Sequence, residues 1–139
     1  MKKKLIEIWI NKKGYDLVAG LTDQYTPDLM RITYNKRLKL ENQIFSMLHE
    51  CGHLIIQNSA CYEKRYKIQA EALEDGRKKR SLRWRIEYLK EEFDAWDKGK
   101  ELSKKLGIKI DQEKYDKYAA LWLKTYCQFA VDGDYEGWC

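Results

Sequence analysis

The chain has two histidines, and both fall in one stretch, Ile44 to Ile56: Ile-Phe-Ser-Met-Leu-His-Glu-Cys-Gly-His-Leu-Ile-Ile. His49, Glu50 and His53 spell His-Glu-x-x-His. On a helix, residues four apart lie one turn apart on the same face, so two imidazoles at that spacing can grip a single ion. Glu50 directly follows the first of them, which sets its carboxylate beside an open metal position rather than on it. Zinc takes neutral nitrogen donors and, in a catalytic site, keeps one position for water, whose proton a neighbouring carboxylate can accept. That is the mechanical content of the motif. It predicts a helix carrying one zinc ion, with His49 and His53 as ligands and Glu50 as general base.

The flanking residues agree with a buried metal helix. Met47, Leu48, Cys51, Gly52 and Leu54 are uncharged, so no stray charge sits beside the ion. Phe45, Leu48, Ile55 and Ile56 make the helix apolar nearly all round, as in a helix enclosed by a core. Gly52 costs about 1 kcal/mol of helix propensity relative to Ala, which is best explained by another backbone packing close to it.

The length of 139 residues predicts one domain, 1–139, able to hold a core without staples. With 35% charged and 13% aromatic residues, that core must draw heavily on Trp and Tyr. A formal charge of +5 permits an acidic partner without demanding one. Cys51, Cys61, Cys127 and Cys139 form no Cys-x-x-Cys pair, a pattern that reads as free thiols in a reducing compartment. The opening Met-Lys-Lys-Lys-Leu-Ile-Glu-Ile-Trp-Ile imitates a secretory signal. Its apolar run is short, is broken by Glu7 and lacks a cleavage site. No stretch approaches the roughly 20 apolar residues that span a bilayer. The expectation is a cytoplasmic protein with no membrane contact.

In chain order, residues 4–10 are rich in β-branched and aromatic types and read as a strand. Tyr15–Ala19 reads as a second, and Leu29–Asn35, where Met30, Ile32 and Tyr34 alternate with Arg31 and Thr33, as a third, half-buried one. Gly20–Asp28 reads as loop. After the metal helix, one helix is predicted from Tyr62 towards Leu73. Another runs from near Ser81 past Trp96 to Gly99 or Gly107. A last runs from Asp111, a good N-cap, to Val131. Its stripe of Tyr115, Tyr118, Ala119, Trp122, Tyr126, Phe129 and Ala130 reads as core, and Asp132–Cys139 as a loosely held tail. The fold class is α+β: a small antiparallel or mixed sheet of about three strands on the metal helix, with two to three further helices.

A catalytic zinc has three protein ligands plus water, and with no third histidine the missing donor is a carboxylate or a thiolate. Cys51, two residues from each histidine, lies on the opposite helix face. The helix from Ser81 shows an apolar stripe of Leu82, Ile86, Leu89, Phe93 and Trp96. At about 100° per residue Glu92 falls at the edge of this stripe and Glu91 almost directly opposite it. A carboxylate at the edge can look into a buried site, so Glu92 is the expected third ligand and Glu91 the fallback.

Three segments together, Ile32-Thr-Tyr-Asn35, Ile44–His53 and Glu91-Glu-Phe-Asp-Ala-Trp96, resemble compact gluzincin-type metallopeptidases, most closely the ImmA/IrrE-type proteins of phages and mobile elements. The match spans about residues 29–100. The resemblance implies a minimal zincin-like domain with His49, His53 and Glu92 as zinc ligands and Glu50 as general base. It also implies that Met30, Ile32 and Tyr34 lie on a sheet edge where a peptide adds as a strand, and that the substrate is a protein, a regulator being the usual one. Trp96 stands where relatives often carry Asn or Asp, and residues 58–80 form an insertion. A tetrahedral intermediate needs one more donor, for which Tyr34 and Tyr126 are candidates.

A rival reading is a binding protein. Arg77, Lys78, Lys79, Arg80, Arg83 and Arg85 surround Trp84, and such a run can touch phosphates while the ring stacks on a base. More often a basic run is a solvated helix face, so nucleic acid is not the favoured partner. A third reading keeps the zinc as a staple in a non-catalytic interaction protein. The presence of Glu50 argues against it, since a structural site is closed by a fourth protein ligand.

Overall fold

The computed structural model describes residues 1–72 and 81–133. Helix α1 (Lys2–Lys12) leads into strands β1 (Asp16–Gly20), β2 (Gln24–Thr26) and β3 (Arg31–Asn35). Helices α2 (Leu40–Gln57), α3 (Tyr62–Arg65), α4 (Lys67–Ala72), α5 (Leu82–Lys105) and α6 (Gln112–Asp132) follow. This is the α+β class expected, with a small mixed sheet and more helices than foreseen.

The strand expected at residues 4–10 is instead α1. Its β-branched residues satisfy a helical period as well: Ile6 and Ile10, four apart, are fully buried, while Leu5 and Ile8 are exposed. Burial of that pair in the core that also holds Ile32 and Leu48 outweighs strand propensity. Gly14, at φ +82°, supplies the left-handed residue after the helix, and the Tyr15 N–H returns to the Ile10 carbonyl (3.2 Å).

The sheet order is β1-β3-β2. β1 runs parallel to β3, with Leu17 opposite Ile32, and β2 runs antiparallel to it, with Tyr25 opposite Ile32. β3 is therefore the central strand, and the expected edge at Met30, Ile32 and Tyr34 is overturned. Ile32 is fully buried, and Met30 lies outside the strand in a left-handed conformation (φ 49°). The strand that displaces it from the edge, Gln24-Tyr25-Thr26, is too short to show alternation within a loop-like sequence.

The predicted helix from Tyr62 breaks into α3 and α4 at Tyr66, whose buried ring holds the break and whose hydroxyl donates to Asp94. Asp111 caps α6 as expected, accepting from the Lys114 N–H (3.1 Å), and Ser81, expected as the start of α5, accepts from the Trp84 N–H (3.0 Å). The last residues of the predicted tail and most of the basic run lie outside the described residues. Cys51, Cys61 and Cys127 are free thiols. No described helix is long and apolar enough to cross a membrane.

The inward face of α5 is not the predicted stripe. Leu82, Ile86 and Phe93 are 57%, 51% and 45% exposed, whereas Trp84, Glu91, Glu92, Ala95, Trp96, Gly99 and Leu102 are buried. The face turned to α2 is built on small residues because the two backbones touch. A Cβ on Gly52 would fall inside the Ala95 carbonyl, and one on Gly99 would lie 2.5 Å from the Leu48 carbonyl oxygen. Hydrophobicity alone marks the wrong side of such a helix. Gly52→Ala improves helix propensity by about 1 kcal/mol, yet urea unfolding should show a net loss of about 1–3 kcal/mol from overpacking.

Candidate metal centre

α2 presents His49 and His53 to α5, and α5 answers with Glu91 and Glu92; all four are less than 9% exposed. His49 Nε2 lies 2.9 Å from Glu92 Oε2, and His53 Nε2 lies 3.2 Å from Glu92 Oε1. The two rings are 4.7 Å apart, centroid to centroid. Atoms bound to one tetrahedral zinc at its usual bond lengths stand about 3.3 Å from each other, so these three side chains suit one ion. Glu50 stays to the side, its Oε1 3.4 Å from His49 Nδ1. Ligand-capable atoms of His49, Glu50 and His53 also fall within 4.8 Å of one another. Glu92 lies against both Nε2 atoms, while the Glu50 carboxylate meets His49 at Nδ1.

Glu91, expected almost directly opposite the inward stripe of α5, is instead buried. Its Oε2 accepts from His53 Nδ1 (2.6 Å) and Gln57 Nε2 (3.2 Å), and its Oε1 accepts from Gln69 Nε2 (2.9 Å). The fallback ligand instead stands behind His53, on the ring nitrogen turned away from Glu92. Trp96 stacks on His49, with centroids 4.1 Å apart and planes 10° from parallel.

The cleft in front of these residues holds about 240 Å³ and is lined by Asp23, Gln24, Tyr25, Gln57, Gln69, Tyr88 and Tyr126 besides the central four and Glu50. Tyr126 is thus brought to the site. Tyr34 is not: it faces another groove with Met1, Lys4 and Leu17, and its hydroxyl accepts from Lys3 Nζ (3.3 Å). Trp84, 7% exposed and packed on Tyr88 and Phe129, is not available to stack on a base, which removes that part of the nucleic-acid reading. Arg85 donates to the Ala130 carbonyl (3.2 Å).

Sequence reasoning missed Asp23, Tyr25 and Gln69, which sit in loop-like or insertion sequence. Gln57 was within reach, being one turn beyond His53 on the same face. Tyr25 stacks on His53 (6.4 Å, 8°). Asp23 accepts from the Asn35 N–H (2.7 Å), and burial raises its carboxyl above the usual range.

Residues 5–78 match the peptidase family described as the IrrE N-terminal-like domain. The chain belongs to that family. Comparison with curated proteins and with solved structures found no match. The family match covers His49, Glu50 and His53 and ends before α5, so the place of Glu91 and Glu92 rests on the structure alone. His49, Glu50 and His53 could hold a metal, as befits a metallopeptidase family.

Burial opposes charge on both imidazoles, but neighbouring carboxylates win. Glu50 and Glu92 raise His49, and Glu92 and Glu91 raise His53 well above the ordinary 6.5. Burial likewise opposes charge on Glu92, but His53 and His49 hold its carboxyl far below 4.5. In metal-free protein the imidazole contribution to stability is complete below pH 6.5 and disappears as pH rises through the raised values. The Glu92 contribution is present above pH 4.5 and is lost on acidification below it. Protons and a metal compete for the same nitrogens. Zinc affinity measured by chelator competition should therefore climb across neutral pH, by about tenfold per unit if one imidazole sheds a proton and about a hundredfold if both do.

Proposed function

We propose that this protein is a zinc-dependent metallopeptidase acting on a protein substrate, a regulator by the family resemblance. The reading is carried by the convergence of His49 Nε2, His53 Nε2 and the Glu92 carboxylate at 2.9–3.2 Å, with Glu50 beside them and in the same cleft. His49, His53 and Glu92 would hold one zinc ion. When bound, the ion polarises the scissile carbonyl and lowers the pKa of water to about 7. Glu50 takes the proton of the attacking water and passes it to the leaving amine.

Substrate meets the edge strand. Among the described residues β2 pairs only with β3, and Gln24 and Tyr25 line the cleft. An extended peptide adding along β2 carries its carbonyls past Glu50. Tyr126, from the other wall, donates a hydrogen bond to the oxygen that gains charge in the tetrahedral intermediate.

Metal analysis of the purified protein should find about one zinc per chain; absence of stoichiometric zinc after gentle purification overturns the reading. Glu50→Gln should keep the metal and lower peptide hydrolysis by about 10²–10⁴-fold, whereas His49→Ala loses both. A zinc-stapled binding protein would be indifferent to Glu50→Gln. Tyr126→Phe should reduce kcat by about 10²-fold with zinc content unchanged.

A further inference from the structure

α5 carries an acidic ladder, Glu87, Glu91 and Asp94, at positions i, i+4 and i+7 of one face. Each rung accepts from α3–α4. Glu87 Oε1 takes the backbone N–H of Gln69 (2.7 Å), Glu91 Oε1 the side-chain amide of the same residue (2.9 Å), and Asp94 the Tyr66 hydroxyl and the Arg65 guanidinium (3.1 Å). Residues 58–72, the described part of the insertion, are thus docked on the metal-facing helix by polar bonds. Only the middle rung touches the centre: the second oxygen of Glu91 accepts from His53 Nδ1. Gln69 is 8% exposed and Glu91 5%, so the amide–carboxylate bond is largely buried.

Trp96, one turn beyond Glu92 on α5, stacks on His49 rather than bonding to His53. Support for His53 comes from the residue preceding Glu92, and from the inserted segment behind it. We propose that Gln69 is a positioning residue of the metal centre. By holding one oxygen of Glu91 it aims the other at His53 Nδ1, which keeps the proton on that nitrogen and turns Nε2 towards Glu92 and the ion. Backbone and side chain of Gln69 are both anchored on α5, so its amide is set before any metal arrives. The inference rests on His53 being a ligand, as in the proposed function.

The test uses the full chain and the metal alone. Zinc dissociation constants are measured against a chromophoric chelator for wild type, Gln69→Ala and Gln69→Glu, and the visible absorption of each protein is recorded with Co2+ in place of zinc. Partners of ligating histidines typically contribute 10–100-fold in metal affinity. Both variants should therefore weaken zinc by about 10-fold or more and alter the Co2+ bands. Gln69→Glu, equal in size, replaces the amide donor with a second carboxyl against Glu91 and should also lose zinc affinity. Should Gln69→Glu fail to fold, Gln69→Ala decides. Zinc affinity of Gln69→Ala within about twofold of wild type, with unchanged Co2+ bands, overturns the inference alone, leaving the metallopeptidase reading standing. Wild-type protein that takes up no zinc overturns both.

Discussion

Everything in the site depends on how closely α2 and α5 approach. Gly52 meets the Ala95 carbonyl, and Gly99 meets the Leu48 carbonyl. The pairing of 52 with 95 and 48 with 99 means that the helices run antiparallel past each other, with backbone against backbone over one turn. Gly52 adjoins His53 and lies three residues after His49; Ala95 lies three after Glu92. The contact that sets the helix separation is therefore one turn or less from every proposed ligand. A bulkier pair at the crossing would move the carboxylate and the imidazoles apart together. The glycine that looks costly as a helix residue fixes the distance across which the ion would be shared.

Close approach creates an electrostatic problem that the neighbouring side chains solve. Two imidazoles and the carboxylates of Glu50, Glu91 and Glu92 are buried within one small volume. A buried charge without a partner costs several kcal/mol, and here the acids have donors to hand. Glu92 faces both Nε2 atoms, and Glu91 is held by His53, Gln57, Gln69 and the Tyr62 hydroxyl. Protons satisfy the nitrogens when no ion is present, which is why the imidazoles are pushed upward despite burial. The same carboxylates would favour a divalent cation. Proton and metal are thus alternative occupants of one negative cradle.

The motif helix was legible because its signal is chemical: two histidines in the whole chain, four residues apart, with an acid following the first. The cap at Asp111 and the start of α5 near Ser81 were legible because they are local. What failed depended on tertiary contact. Ile6 and Ile10 belong to a strand by propensity and to a helix by packing. The three residues of β2 carry no pattern, so β3 looked like an edge. On α5 the residues most apolar in type, Leu82, Ile86 and Phe93, are exposed, while small and acidic ones are buried. Glu92 was reached from a stripe that lies on the wrong side, because Trp96 belongs to both faces. Glu91 was misplaced by the same reasoning.

The position of Glu91 shows where the information for such a centre resides. A helix with two imidazoles at one-turn spacing offers two donors and no means of orienting them. The matched family segment ends at residue 78 and stops there as well. The remaining parts come from α5, where two adjacent acids take opposite sides of one ring. Glu92 faces the Nε2 atoms, and Glu91 faces the Nδ1 of His53. Two consecutive helical residues point about 100° apart, so a single helix edge can reach both sides of one imidazole only if that ring sits in the angle between them. The antiparallel crossing at Gly52 and Ala95 places His53 there. Residues 58–72 then close the circuit from behind, where Gln69 and Tyr62 both meet a carboxylate that α2 alone would otherwise hold.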